Sequence, residues 1–469
     1  MKVLICIPLL EAGGTEIQTL NTVQALVQGG HEVTVACYFE HTPEMVARYR
    51  KAGAEVILFS PEGVRVGGYK CVLFLYKHLR RAIRTIRPDV THVQYMAPGA
   101  TVILLLWLMG VKNIIATAHT AADIYRDLRL IHFLQRHCLR AFTCITERAE
   151  RSFFGTSQLY TADMLLGRRS HFTIYNALPF RTSERLKVNC DDSQVKGDGG
   201  EVKGDTRCVY ENENSLISLS SVDNKINAIA CECNTSSLDV IPRAQQAKII
   251  INTMEQNLDA FTHAQACADH PDGVPAMSES PLFGRGRGEA PLTLGVVSRL
   301  ERIKGMDLVV PAFAEVLKAY PATQLLVVGD GTLRASMEEQ AAQLGCADHI
   351  RFVGRQPQEE LPQWYSQMDI VLMPSRSEGF GLTAIEAMAH GCVMVASDVG
   401  GLPEVVRDGV CGLLHRTEDV ADMAAKISTL IGDATLYDTL RTQSLKEVEK
   451  YSFERYAALM NDLYNKLGK

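Results

Sequence analysis

The chain has 469 residues, 46% of them hydrophobic and 22% charged, with a formal net charge of −6. That is long and apolar enough for two or three domains with their own cores. Its 13 cysteines, an odd number with several inside apolar runs (Cys6, Cys37, Cys71, Cys392), argue against a disulfide framework and fit reduced, buried thiols in a cytosolic protein. The charge is laid out unevenly. Residues 1–183 carry 21 Lys or Arg against 13 Asp or Glu, a net of +8; residues 184–289 (10 against 17) and 290–469 (17 against 24) each carry −7. A basic first third suits an anionic partner such as a phospholipid surface or a phosphorylated acceptor, with ordinary solvated surface as the alternative.

The opening VLICIPLL is a short apolar run interrupted by Glu11 and followed by no cleavage-type site, so it reads as a strand rather than a signal peptide. A Gly13-Gly14 turn leads into the helical EIQTLNTVQALVQGG, and HEVTVACYF returns as a strand. A helix near 43–52, the strand AEVILFS, a basic helix near 69–87, the strand DVTHVQY, a further helix and NIIATAHT follow. Nearly continuous apolar strands alternating with helices imply a parallel sheet covered on both faces. The helix near 76–87 sets Lys77, Arg80, Arg81, Arg84 and Arg87 beside Leu79, Ile83 and Ile86, as an interfacial helix would, or as a solvated helix on the sheet would. The run TVILLLWLMG at 101–110 is too short for a bilayer, which needs about twenty residues. The expectation is a cytoplasmic protein, at most peripheral on the inner face of a membrane.

Residues 184–289 mix Gly, Ser and polar residues without periodicity and read as a largely disordered insertion, with a transient helix in AQQAKIIINTMEQNLDAF. Cys231-Glu232-Cys233 has no matching second pair, so no metal site is expected, and GRGRG at 284–288 reads as linker rather than a nucleic-acid contact. Residues 290–450 repeat the first style, with strands in TLGVVSRL, ATQLLVVGDG, HIRFVGR, DIVLMPS and VMVASDVGG. Helices are expected near 307–319, 332–345 and 358–367, over the segment holding Glu386, and once more after the last strand. Two doubly wound α/β domains, 1–183 and 290–450, would face a cleft with ligands at the carboxyl ends of their strands. The tail 451–467 has helical apolar spacing and reads as a closing amphipathic helix, packing back on the first domain.

Four groups carry the chemistry. In SEGFGLTAIEAMAHG, Glu378 precedes a helix and Glu386 lies inside it, while Gly379 and Gly381 let backbone N–H groups at the helix start approach an anion. Two carboxylates flanking an anion site suit a ligand that is part phosphate and part polyhydroxyl. Arg299 and Lys304 stand at a strand end and loop where fixed cations can hold a diphosphate. Gly13-Gly14 opens a helix from the other domain, and His119 ends an apolar strand beside the expected cleft. There is no Asp-x-Asp pair for a divalent cation on a diphosphate, no Walker loop and no complete Gly-x-Gly-x-x-Gly, which argues against ATPase and dehydrogenase readings.

These residues together resemble retaining glycosyltransferase family 4, the group 1 glycosyl transferases of GT-B fold. The resemblance rests on Glu378 and Glu386 in SEGFGLTAIEAMAHG, on VVSRLERIKG, VVGDG and FVGR, on ASDVGGLPEVV followed by DGVCGLL, and on EAGGTEIQTLNTVQALVQGGHEVTV; it covers roughly 1–180 and 290–469. It implies a UDP- or GDP-linked sugar donor on the second lobe and a glycan, lipid-linked or small-molecule acceptor on the first. The transfer would be metal-independent, need no cofactor and serve glycan, polysaccharide or glycolipid synthesis. By the same resemblance Arg299 and Lys304 bind the diphosphate and Glu378 touches the sugar. The backbone groups of Gly381 and Leu382 meet the phosphate, Gly379 and Phe380 also belong to the donor site, Glu386 meets the ribose, and Val353 lies near the base. Gly13 and Gly14 close on the diphosphate from the first lobe, and His119 lies by the reacting face. A nucleotide-sugar epimerase, a sugar phosphorylase or a non-catalytic scaffold of the same fold are the rival readings. One departure stands out: YNALP at 175–179 resembles the inter-lobe exit strand, yet about a hundred residues follow it before the second lobe, at only a modest closure cost.

Overall fold

Runs of Val, Ile and Leu too apolar to alternate become interior parallel strands in both halves of the chain. The computed structural model describes residues 1–11, 13–94, 99–122, 128–167, 170–178 and 292–468. The insertion 184–289, with its expected helix, cysteine pair and GRGRG, lies outside the described residues, as does the 183/184 boundary.

The first lobe is a seven-stranded parallel sheet in the order β3-β2-β1-β4-β5-β6-β7. Its strands are β1 (Lys2–Ile7), β2 (Glu32–Cys37), β3 (Glu55–Leu58), β4 (Val90–Gln94), β5 (Ile114–Ala118), β6 (Ala141–Cys144) and β7 (Ser170–Thr173). Helices α1 (Gly14–Gln28) and α2 (Pro43–Lys51) cover one face, and α3 (Gly68–Ile86), α4 (Gly99–Leu108), α5 (Arg129–His137) and α6 (Glu147–Phe154) the other. Register matters at the strand ends: Gln94 pairs with Thr117 and Thr117 with Thr143, which lines up three polar side chains across β4, β5 and β6.

The second lobe repeats the plan with six parallel strands in the order β10-β9-β8-β11-β12-β13. They are β8 (Thr293–Val297), β9 (Gln324–Val328), β10 (Ile350–Gly354), β11 (Ile370–Met373), β12 (Val393–Ser397) and β13 (Gly412–His415). Its helices are α7 (Val309–Ala319), α8 (Arg334–Gln343), α9 (Leu361–Tyr365), α10 (Leu382–Ala389), α11 (Leu402–Val405), α12 (Val420–Gly432) and α13 (Ala434–Glu447). In both lobes the order reverses beside the first strand, which is where a doubly wound sheet opens a crevice for ligands.

The last helix, α14 (Phe453–Leu467), leaves the second lobe and lies along α1 of the first. It buries Phe453, Tyr456, Met460, Leu463, Tyr464 and Leu467, each worth roughly 2 kcal/mol relative to exposure. Polar bonds fix its register: Tyr456 OH to Thr22 Oγ1 at 2.7 Å, Tyr464 OH to His92 Nδ1 at 2.6 Å, and Asn461 Nδ2 to Ala25 O at 3.0 Å.

Three strands escaped the sequence reading. β6, β7 and β13 are four residues each, and so short a run carries no usable periodicity. Three helices, the short α11 and then α12 and α13, follow β12 where one was expected; Asp433 divides the last two, and its side chain caps α13 by accepting from Leu436 N. No described helix is long and apolar enough to cross a membrane. All eight described cysteines are free thiols, and seven are buried.

Candidate functional site

The segments that leave the carboxyl ends of β1, β5, β8 and β11 come together between the lobes. After β11, Ser377–Phe380 runs as a loop to Gly381, the N-cap of α10, whose φ of 104° is open to glycine and strained for other residues. A glycine N-cap brings no side chain to the helix start. The N–H groups of Gly379, Phe380, Gly381, Leu382 and Thr383 donate to no acceptor among the described residues. Five open donors at a helix N-terminus form a ready anion seat.

The first lobe closes over this seat. A Cβ on Gly14 would stand 3.5 Å from Leu382 Cδ1, so the start of α1 meets the start of α10 at van der Waals distance. A Cβ on Gly379 would come within 2.4 Å of the His119 carbonyl oxygen; only a glycine allows the two backbones to pass so closely. From β8, Lys304 reaches across and its Nζ bonds Glu378 Oε2 at 2.7 Å, with both side chains partly buried. Arg299 is exposed at the end of β8 and makes no ion pair with a described residue.

Glu386 sits one turn into α10 and is only 6% exposed. It accepts from Gln358 Nε2 and from Tyr365 OH, each at 3.0 Å. Burial pushes its carboxyl up to about 7, against which those two donors work. Val353, half-buried at the end of β10, packs against the cluster that contains Tyr365 and Phe380.

Phe380 does not present its ring to a ligand: it is buried between Tyr175 and Tyr451, at centroid distances of 6.2 and 5.5 Å, which leaves only its backbone at the seat. Gly13 lies under the Glu16 carboxylate, whose Oε2 occupies the space a Cβ would need, so Gly14 is the glycine that faces the second lobe. The His119 ring is also turned inward. Its Nε2 pairs with Gln94 Oε1 at 2.8 Å, and its carbonyl is what meets Gly379.

Behind His119 lies a polar network that sequence reading missed. His92 joins Thr117 Oγ1 and Tyr464 OH, each at 2.6 Å, and Thr117 joins Thr143 at 2.6 Å. Burial lowers both imidazoles to about 3, so both are neutral at pH 7. Arg376 was missed as well. It holds Asp307 with two bonds of 2.6 and 2.9 Å and also pairs with Glu418, pinning the loop that carries Lys304 to the one that carries Glu378. Across the lobes Glu404 accepts from the N–H groups of Glu147 and Arg148 at the start of α6, and Arg48 lies 3.5 Å from Glu359. A polar residue at a strand end (Gln94) or two positions before an acid (Arg376) is a weak signal, because only the fold shows what it touches. Among the described residues no group of three His, Cys, Asp or Glu side chains is placed to hold a metal ion.

Comparison with known proteins extends this geometry. Residues 12–157 match the model "Glycosyltransferase Family 4" and residues 283–447 match "Glycosyl transferases group 1". A D-inositol 3-phosphate glycosyltransferase of Nocardia farcinica is 37% identical over 222 residues, 44% of this chain and 49% of that one. Another from Streptomyces bingchenggensis is 32% identical over 238 residues, 46% and 52% of the two chains. The chain thus spans about half the length of the curated relatives it matches. Among solved structures, Anabaena HepE in complex with UDP superposes with a TM-score of 0.64 at 15% identity, covering 99% of this chain and 100% of that one. The sucrose-phosphate synthase of Thermosynechococcus elongatus gives 0.60 at 18% identity, covering 100% and 99%. At such identities the likeness concerns the fold, and that fold is the GT-B pair of Rossmann-like lobes expected from the sequence. With both lobes matched by family models and the strand-end segments meeting as they do, the chain belongs to the group 1 glycosyl transferases of glycosyltransferase family 4.

Proposed function

We propose that this chain transfers a sugar from a nucleoside-diphosphate donor to an acceptor hydroxyl, with retention at the anomeric carbon and without a metal ion. The observation that carries the reading is the convergence of Gly14, the His119 carbonyl, Lys304 and Glu378 on the segment 378–383 with its five open N–H groups. The donor diphosphate would lie on those N–H groups, with Lys304 and Arg299 as its cations. As the sugar departs, charge grows on the leaving diphosphate, where fixed donors and cations act most strongly. Glu378, held by Lys304 in the free chain, would face the sugar, and Glu386 would accept from the ribose hydroxyls. UDP is the first donor to try, since UDP is the ligand named for HepE. A phosphorylated polyol is a reasonable acceptor class: the named relatives act on an inositol phosphate, and the first lobe carries +8. The basic residues of that lobe extend the reading to a glycolipid acceptor or an anionic inner membrane surface.

The test is a thermal-shift screen of UDP- and GDP-sugars with the full chain, followed by acceptor trials with the best donor in the presence of EDTA. Product anomers are read by NMR. A donor-dependent rise in melting temperature and an EDTA-insensitive product of retained configuration are expected. Absence of any nucleotide-sugar binding, or an inverted product, would refute the proposal.

A further inference from the structure

We infer that the outer face of α3, α4 and α5 docks on an anionic lipid bilayer at headgroup depth. The three helices lie side by side on the sheet face opposite α1 and α14, with α4 packed against both neighbours. Their inner stripes, among them Leu75, Leu79, Ile103, Leu106, Ile131 and Leu134, are buried in one core. Their outer stripes are not polar in compensation. Of the thirteen large apolar side chains exposed among the described residues, seven belong to these three helices, with Leu73 at 63% and Leu108 at 66%. Trp107, Tyr76, Leu130 and Phe133 join them.

The charge between these apolar groups has one sign. The three helices contain seven Lys or Arg and no Asp or Glu. Lys77, Arg80, Arg81 and Arg84 follow Leu73 at helical spacing on the outer face of α3, and Arg129 and Arg136 flank Phe133 on α5. None of Lys77, Arg80, Arg81 and Arg84 is ion-paired with a described residue. An ordinary solvated helix of this lobe looks different: α2 and α6 both carry glutamates in their first turns. Cations alone would suit any polyanion. Cations interleaved with Trp, Tyr, Phe and Leu over three adjacent helices suit a surface that is anionic on the outside and apolar a few ångströms deeper, which is a bilayer. This inference is independent of the transfer reaction.

The experiment is co-sedimentation of the full chain with pure phosphatidylcholine vesicles and with equimolar phosphatidylcholine–phosphatidylserine vesicles. Binding is expected only to the second kind and should disappear near 1 M salt, where screening acts over about 3 Å. Each cation contributes roughly a fivefold gain in partition, so the triple variant R80Q/R81Q/R84Q should bind on the order of a hundredfold more weakly. Circular dichroism of that variant checks that it remains folded. Trp107 fluorescence should shift to the blue on anionic vesicles, and the shift should be absent in Trp107→Phe. Equal binding to both vesicles, no binding, an unaffected triple variant, or binding without a Trp107 shift would each overturn the inference. So would displacement of the protein from vesicles by a single-stranded RNA homopolymer at equal charge concentration, which would mark a polyanion site instead.

Discussion

Replacing Glu386 by Gln is expected to stabilise the protein while weakening its hold on a donor, and the stabilisation is expected to depend on pH. The carboxyl is 6% exposed and burial raises it from an ordinary 4.5 to about 7. Below 4.5 it is protonated in both the folded and the unfolded chain. Between 4.5 and 7 the folded chain keeps a proton that the unfolded chain has released, so stability falls as pH rises through that window. At about 1.36 kcal/mol per pH unit, the rise from 4.5 to about 7 corresponds to roughly 3 kcal/mol lost in full once the pH exceeds 7. Glutamine has nearly the same shape and can meet Gln358 and Tyr365 without ionising. The variant and the native chain should therefore melt together near pH 4.5. At pH 8.5 the variant should melt higher by about 6–12 °C, at roughly 2–4 °C per kcal/mol for a lobe of this size. Scanning calorimetry at the two pH values decides it. A difference in melting temperature that stays constant with pH would show that the ionised carboxylate is not strained in the folded state. The same variant should show a raised donor KM, because an ionised acceptor of ribose hydroxyls has been lost.

Three further outcomes follow from the site. Lys304→Ala should lower kcat/KM on the order of 10²- to 10³-fold, the usual scale for one charge-stabilising group, with a melting temperature close to native; full turnover would remove Lys304 from the reaction. Gly379→Ala places a methyl 2.4 Å from the His119 carbonyl and should force the lobes apart by about 1 Å, costing on the order of 100-fold in turnover. Calorimetry should still detect donor binding to the second lobe, and unimpaired turnover would show that this close approach is not required. Tyr464→Phe strips His92 of a 2.6 Å partner and should cost about 1–3 kcal/mol by urea titration, since a buried imidazole nitrogen is left unmet. An unchanged midpoint would mean that water takes its place.

Much of this was legible in the chain because apolar runs, glycine turns and charged loop residues each have local causes. The β-α alternation and the Gly381 helix start follow from residue types at short range, whereas the pairing of Lys304 with Glu378 spans 74 positions and does not. What escaped is what only the third dimension brings together. Gln94, Thr117 and Thr143 are ordinary strand residues until register sets them side by side. Arg376 gains meaning only when Asp307 and Glu418, 69 and 42 positions away, close on it. Phe380 shows the same limit: its ring is buried against Tyr175 and Tyr451, neither of which is local, so only its backbone is left at the helix start.

The path of α14 also decides how the molecule can be divided. Removing residues 453–467 deletes nothing from the sheet those residues adjoin in sequence, yet it uncovers the apolar side of α1 and takes Tyr464 from His92. A shortened or carelessly tagged carboxyl terminus would therefore appear as damage to the amino-terminal lobe. A second-lobe fragment intended to stand alone is best ended near Tyr451, and a first-lobe fragment needs the final helix restored, either in trans or by a rearranged connection.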